Sequence, residues 1–174
     1  MNPLLANWAE SLRNAAQKND LAAIKLFPNY HGYSLKIEAL KELREIAKEL
    51  KLPVLVQIRI NDERNQPVSM QVPNVPVADV LALSRLFPDV RFITLCAFIS
   101  ELAILADGGK NLFSDISFCD GEDTLRNVSQ VFPLSHLVFG SHEAFTHVEA
   151  SILKLAHASI SDSEKEAVAS TNLS

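Results

Sequence analysis

The run Asn29-Tyr30-His31-Gly32-Tyr33 places an amide, two phenols and an imidazole around one flexible glycine. An imidazole can hold a proton near neutral pH or bind a metal, while phenols and amides fix a ligand by hydrogen bonds. His31 and Tyr33 are therefore candidate substrate-binding residues, and His31 is also a candidate metal ligand. The competing reading is a tight turn, with Asn29 and Gly32 supplying its geometry and the aromatics packing. A second imidazole, His142, follows Gly140-Ser141. It is a candidate general base and metal ligand, or else a helix-start residue without chemistry.

Charged candidates lie elsewhere. Arg59 and Arg64 flank Asp62 at the start of a long polar segment. Both arginines are candidate substrate-binding residues, because a guanidinium clamps carboxylates and phosphates. A mutually satisfied salt-bridge cluster fits the same residues. Asp120 lies beyond a predicted strand end, a better address for binding than Asp115, which lies within the strand. Asp120-Gly121 also reads as a plain turn. Lys25, in an apolar strand, is either a lysine of depressed pKa or one that snorkels or pairs with an acid. Cys96 reads as a small buried hydrophobe.

These residues need elements to position them. Apolar residues at helical spacing predict helices over 8–18, 37–50, 77–87, 99–106, 122–130 and 145–157. A last helix begins at Ser161, with Glu164 closing a capping box. Short apolar runs predict strands over 21–27, 53–60, 90–96, 112–118 and 136–139, with a sixth at Met1 to Leu5. Strands that alternate with helices imply a parallel sheet with right-handed crossovers. Their near-continuous apolarity implies cover on both faces. The candidate residues mostly follow strands, where α/β folds place their sites.

The totals set further bounds. With 174 residues the chain reads as one domain, residues 1–174. Its apolar content of 48% argues against disorder, and its net charge of -5 against a general nucleic-acid binder. No apolar run approaches the roughly 20 residues of a membrane span, and the amino terminus does not read as a secretory signal. Two cysteines form no metal framework. A reduced, cytoplasmic setting and a small-molecule partner are the expectations.

The order of the elements resembles the amidohydrolase superfamily, in particular TIM-barrel metal-dependent hydrolases of the amidohydrolase-2 type. The resemblance is carried by residues 24–33, by Leu52-Pro53-Val54-Leu55-Val56-Gln57, by Phe87-Pro88-Asp89-Val90-Arg91-Phe92-Ile93 and by Leu137-Val138-Phe139-Gly140-Ser141-His142. Residues 169–173 look like the closing helix of that family. The resemblance implies a partial (β/α) barrel, strands three or four to eight, and hydrolysis of an amide, ester or lactone. It implies a divalent metal, zinc, iron or manganese, with His31 and His142 as ligands. It also places Gln57 and Cys96 where such barrels end their fifth and sixth strands in His, and His142 where the eighth carries Asp. The His-x-His motif of a first strand has no counterpart. The ligand set is therefore expected to be degenerate, and an oligomer or an N-terminal segment is expected to cover the open barrel edges. A metal-free binding module for an anionic small molecule is the alternative function, a fragment of a longer hydrolase another. A flavodoxin-like open sheet fits the length but lacks a glycine-rich phosphate loop.

Overall fold

The structure, a computed structural model, describes residues 1–173. Five parallel strands form one sheet: β1 (Ile24–Leu26), β2 (Val54–Gln57), β3 (Phe92–Leu95), β4 (Leu112–Asp115) and β5 (Leu137–Val138). Their order in space is their order in sequence, β1-β2-β3-β4-β5. A doubly wound, flavodoxin-like sheet reverses direction at a switch point. This sheet never reverses, which is the progression of a (β/α) barrel.

Strand periodicity assigns two faces. Ile24, Leu26, Val54, Val56, Phe92 and Leu112 join the main core with the helices. The opposite face carries a smaller apolar cluster of Ile93, Phe113 and Val138, flanked by Leu55 and Leu95. Lys25 shares that second face, level with Leu55, Ile93 and Phe113. So do Gln57 and Asp115, two residues further along their strands than Leu55 and Phe113.

Seven helices connect and cover the strands: α1 (Trp8–Lys18), α2 (Ala39–Leu50), α3 (Val77–Leu86), α4 (Ile99–Leu105), α5 (Thr124–Ser129), α6 (Val148–Ala156) and α7 (Asp162–Ala169). In α2 the stripe Leu40, Leu43, Ile46 and Ala47 is buried while Lys and Glu face water. Each buried Leu or Ile there contributes about 1.5–3 kcal/mol over an exposed one. The predicted capping box forms: Ser161 N donates to Glu164 Oε2 at 2.8 Å, and Glu164 N donates back to Ser161 Oγ at 3.3 Å.

The expected sixth strand does not form. Residues 1–5 make turns, and the Met1 ammonium donates to the Lys25 carbonyl at 2.7 Å. Pro3 has no N–H to give a ladder. The closing segment also departs from a continuous helix, since α7 stops at Ala169 and Thr171–Leu173 form a 3-10 turn.

Candidate functional site

The carboxyl ends of β2, β3, β4 and β5 converge on one network of buried polar groups. Gln57, 1% exposed, donates from Nε2 to the Arg59 carbonyl at 2.6 Å and to Cys96 Sγ at 3.0 Å. Its Oε1 is buried without a partner. Arg59, two residues on, is equally buried. Its guanidinium donates to the Cys96 carbonyl at 2.5 Å, to Glu101 Oε2 at 2.8 Å and to Asn74 Oδ1 at 3.2 Å, and pairs with Glu101 Oε1 as well. The Phe98 ring lies 4.0 Å from it. Glu101 sits in the first turn of α4 and accepts from Phe98 N at 2.8 Å. One carboxylate thus caps a helix and neutralises a buried cation.

Cys96 follows β3 with a φ of 62°, in the left-handed region that costs a non-glycine residue energy. That turn aims its N–H at Asp115 Oδ1, 2.9 Å away. Burial, with the Asp115 charge, pushes the Cys96 thiol up to about 12, so it stays protonated and non-nucleophilic. Asp115 ends β4, 4% exposed. Ser117 Oγ lies 3.0 and 2.9 Å from its two oxygens. Burial raises the Asp115 pKa, opposed by the Cys96 N–H, by Ser117 and by the His142 charge. Across from it, a Cβ on Gly140 would stand 2.8 Å from Asp115 Oδ2, so only glycine leaves the carboxyl its room.

His142 also has a left-handed φ, 54°. Its Nε2 lies 2.7 Å from the Ile60 carbonyl, which can only accept, so Nε2 carries the proton. In the neutral ring Nδ1 is then a lone pair. The imidazole stacks on Phe145 at 5.0 Å and meets the edge of Phe118 at 5.5 Å. Ile60 also joins the first loop, because its N–H donates to Tyr30 Oη at 3.3 Å. The loops after β1 and β5 therefore meet on one residue, Ile60.

The remaining predicted residues are spread out. The His31 ring packs against Phe27 and Tyr33, away from the aromatic neighbours of His142, and its Nδ1 is buried without a partner. Gly32 has a φ of 70°, the turn geometry its residue type allows. Tyr33 is buried, and burial pushes its phenol above the usual range, only partly offset by the nearby Phe27 backbone. Arg64 is exposed and pairs with Asp62, holding that carboxyl at about 2. Asp120 is exposed and pairs with Lys154 Nζ at 2.8 Å. Lys154 also donates to the Ser117 carbonyl at 2.9 Å, tying α6 to the loop after β4. A cleft of about 300 Å³ opens here, walled by Phe98, Phe118 and Phe145 and edged by Asp62, Asp120 and Lys154.

No family model matches the chain, and no curated protein does. Solved structures do. A 5-carboxyvanillate decarboxylase from Novosphingobium aromaticivorans, complexed with manganese and 4-hydroxy-3-methoxy-5-nitrobenzoic acid, is similar with a TM-score of 0.75 at 12% identity, over 99% of this chain and 61% of that one. A 2,6-dihydroxybenzoate decarboxylase complexed with 2,6-dihydroxybenzoate gives 0.73 at 10% identity, over 95% and 64%. An amidohydrolase II gives 0.69 at 13% identity, over 99% and 67%. The chain has the fold of the amidohydrolase barrels. It spans about two thirds of the length of these neighbours, so its five strands form a partial barrel.

Manganese in such a neighbour prompts a test of the donors here. Among the described residues no three His, Cys, Asp or Glu side chains gather as a metal group. His142 offers one nitrogen, Nδ1, with no second His, Cys, Asp or Glu gathered beside it as a group, the Cys96 thiol is protonated, and Asp115 is held by two internal donors. Gln57 Oε1 is free but neutral. These residues do not fit a divalent metal by themselves.

Sequence reasoning ranked Asp115 below Asp120 and passed over Glu101 and Ser117. For Asp115 a signal existed, since it stands two residues after Phe113 and shares its face. For Glu101 there was none, because its partner Arg59 is 42 residues away.

Proposed function

We propose that this chain carries the substrate-binding and proton-transfer face of an amidohydrolase-type hydrolase acting on an amide, ester or lactone. The observation that supports it most is His142, with Nε2 fixed by the Ile60 carbonyl and Asp115 buried within electrostatic range. In this reading Nδ1 of His142 takes a proton from the attacking water and Asp115 stabilises the imidazolium. The substrate lies in the cleft between Phe98, Phe118 and Phe145, whose walls suit a planar or aromatic group. No step is routed through a metal. His31, Tyr33, Arg59, Arg64 and Asp120 then shape the surroundings: Arg59 through its pair with Glu101, Asp120 through Lys154, and the β1 loop through Tyr30 and Ile60. The neighbours whose ligands are aromatic acids lend this substrate shape support.

A panel of aromatic esters and lactones tests the reading. Turnover is expected, and His142→Ala should lower kcat about 100-fold or more with KM little changed, the loss typical of a general base. Equal turnover by the variant contradicts it. A second reading, a binding module without catalysis, draws support from the internal pairing of Arg59, Arg64 and Asp120. It predicts saturable binding of the same compounds without turnover.

A further inference from the structure

A large cavity lies at the opposite end of the sheet from the candidate site. It holds about 760 Å³ and opens where Pro53, Arg91 and Asn111 lead into β2, β3 and β4. Lys48, Lys51, Arg91 and Lys110 line it, with Asp89 as the one carboxylate among the described residues there. Asp89 is already neutralised: Arg44 Nε and Nη2 reach its two oxygens at 2.9 and 2.7 Å, and Lys48 Nζ lies 2.9 Å away. Among the described residues Lys51 and Lys110 have no carboxylate partner, and Arg91 bonds only the carbonyl of Leu173 and lies over the Phe113 ring. In a chain with 21 acids and 16 bases, three cations around one concavity thus have no carboxylate partner among the described residues. Lys48 and Lys51 complement the carbonyl end of α2. Arg91 and Lys110 come from strand-entry loops and complement no helix end.

The walls are held in place before any ligand arrives. Asn111 Nδ2 bonds the carbonyls of Ser84, Phe87 and Val90 at 3.0, 3.1 and 2.9 Å, and Leu52 N bonds the Ala47 carbonyl at 2.9 Å. Like charges around a concave wall repel one another and focus a positive field outward, which an anion relieves. We infer that this cleft is a second binding site, for a compact polyanion with at least two oxyanion groups, of the phosphate-ester or polycarboxylate type.

Calorimetry on the full chain with inorganic pyrophosphate and with citrate, at ionic strength held constant with KCl, tests this. Saturable binding of at least one is expected, and the two arms distinguish phosphate from carboxylate. Lys51→Glu with Lys110→Glu, both exposed and outside the core, should weaken binding about tenfold or more as attraction becomes repulsion. His142→Ala should leave it unchanged, which separates this site from the proposed catalytic face. Absence of saturable binding in both arms, or equal binding by the charge-reversed protein, would overturn the inference. Circular dichroism of the variant confirms that a loss is not unfolding.

Discussion

Asp115 sets the local balance at the residue scale. Its carboxyl is buried, its pKa is raised, and Gly140 gives it the only room it has. A group of raised folded pKa stabilises the protein below the ordinary carboxylate range, and that contribution is lost as pH rises through the folded value. At neutral pH Asp115 is therefore a cost that Asp115→Asn relieves. The melting temperature of Asp115→Asn relative to the natural protein is expected to climb as pH rises from about 4, the ordinary carboxylate pKa. A difference independent of pH would contradict this. The sequence offered Asp120 more plainly, as an acid beside a glycine after a strand. Which of the two acids is buried is decided by parity on β4 and by a glycine 25 residues later, neither of which a local reading weighs.

Scaled up to elements, the site is held by one buried pair that joins the end of β2 to the first turn of α4. Arg59 is 2% and Glu101 20% exposed. Removing one partner of such a pair strands the other charge, at about 3–5 kcal/mol. Glu101→Ala should lose about that much in denaturant unfolding, while Arg59→Met with Glu101→Leu should recover most of it. Equal losses in the single and double variants would show that packing, not the stranded charge, is what counts. The elements themselves were legible: α1 begins and ends where the apolar stripe does, and α7 starts at its capping box. The segment at Met1 to Leu5 was not, because a short apolar run reads as a strand until Pro3 is asked for a ladder bond. Pairs such as Arg59 with Glu101 or His142 with Ile60 cross 42 and 82 residues, and periodicity carries no trace of them.

Taken as a whole, the molecule has two different ends. At the carboxyl ends of the strands lie the buried network and the aromatic cleft; at the amino ends lies the basic cavity. Strand order settles the architecture that alternation alone left open, because βα repeats fit both a doubly wound sheet and a barrel. The proposed function requires a small planar substrate to bind in the cleft between Phe98, Phe118 and Phe145. The most direct test is amide chemical-shift mapping with benzamide, a planar aromatic amide that hydrolyses slowly. Saturable shifts are expected at Phe98, Phe118, His142 and Phe145, and none around Lys51 and Lys110. Shifts absent from the aromatic cleft, or confined to the amino ends of the strands, would contradict the account.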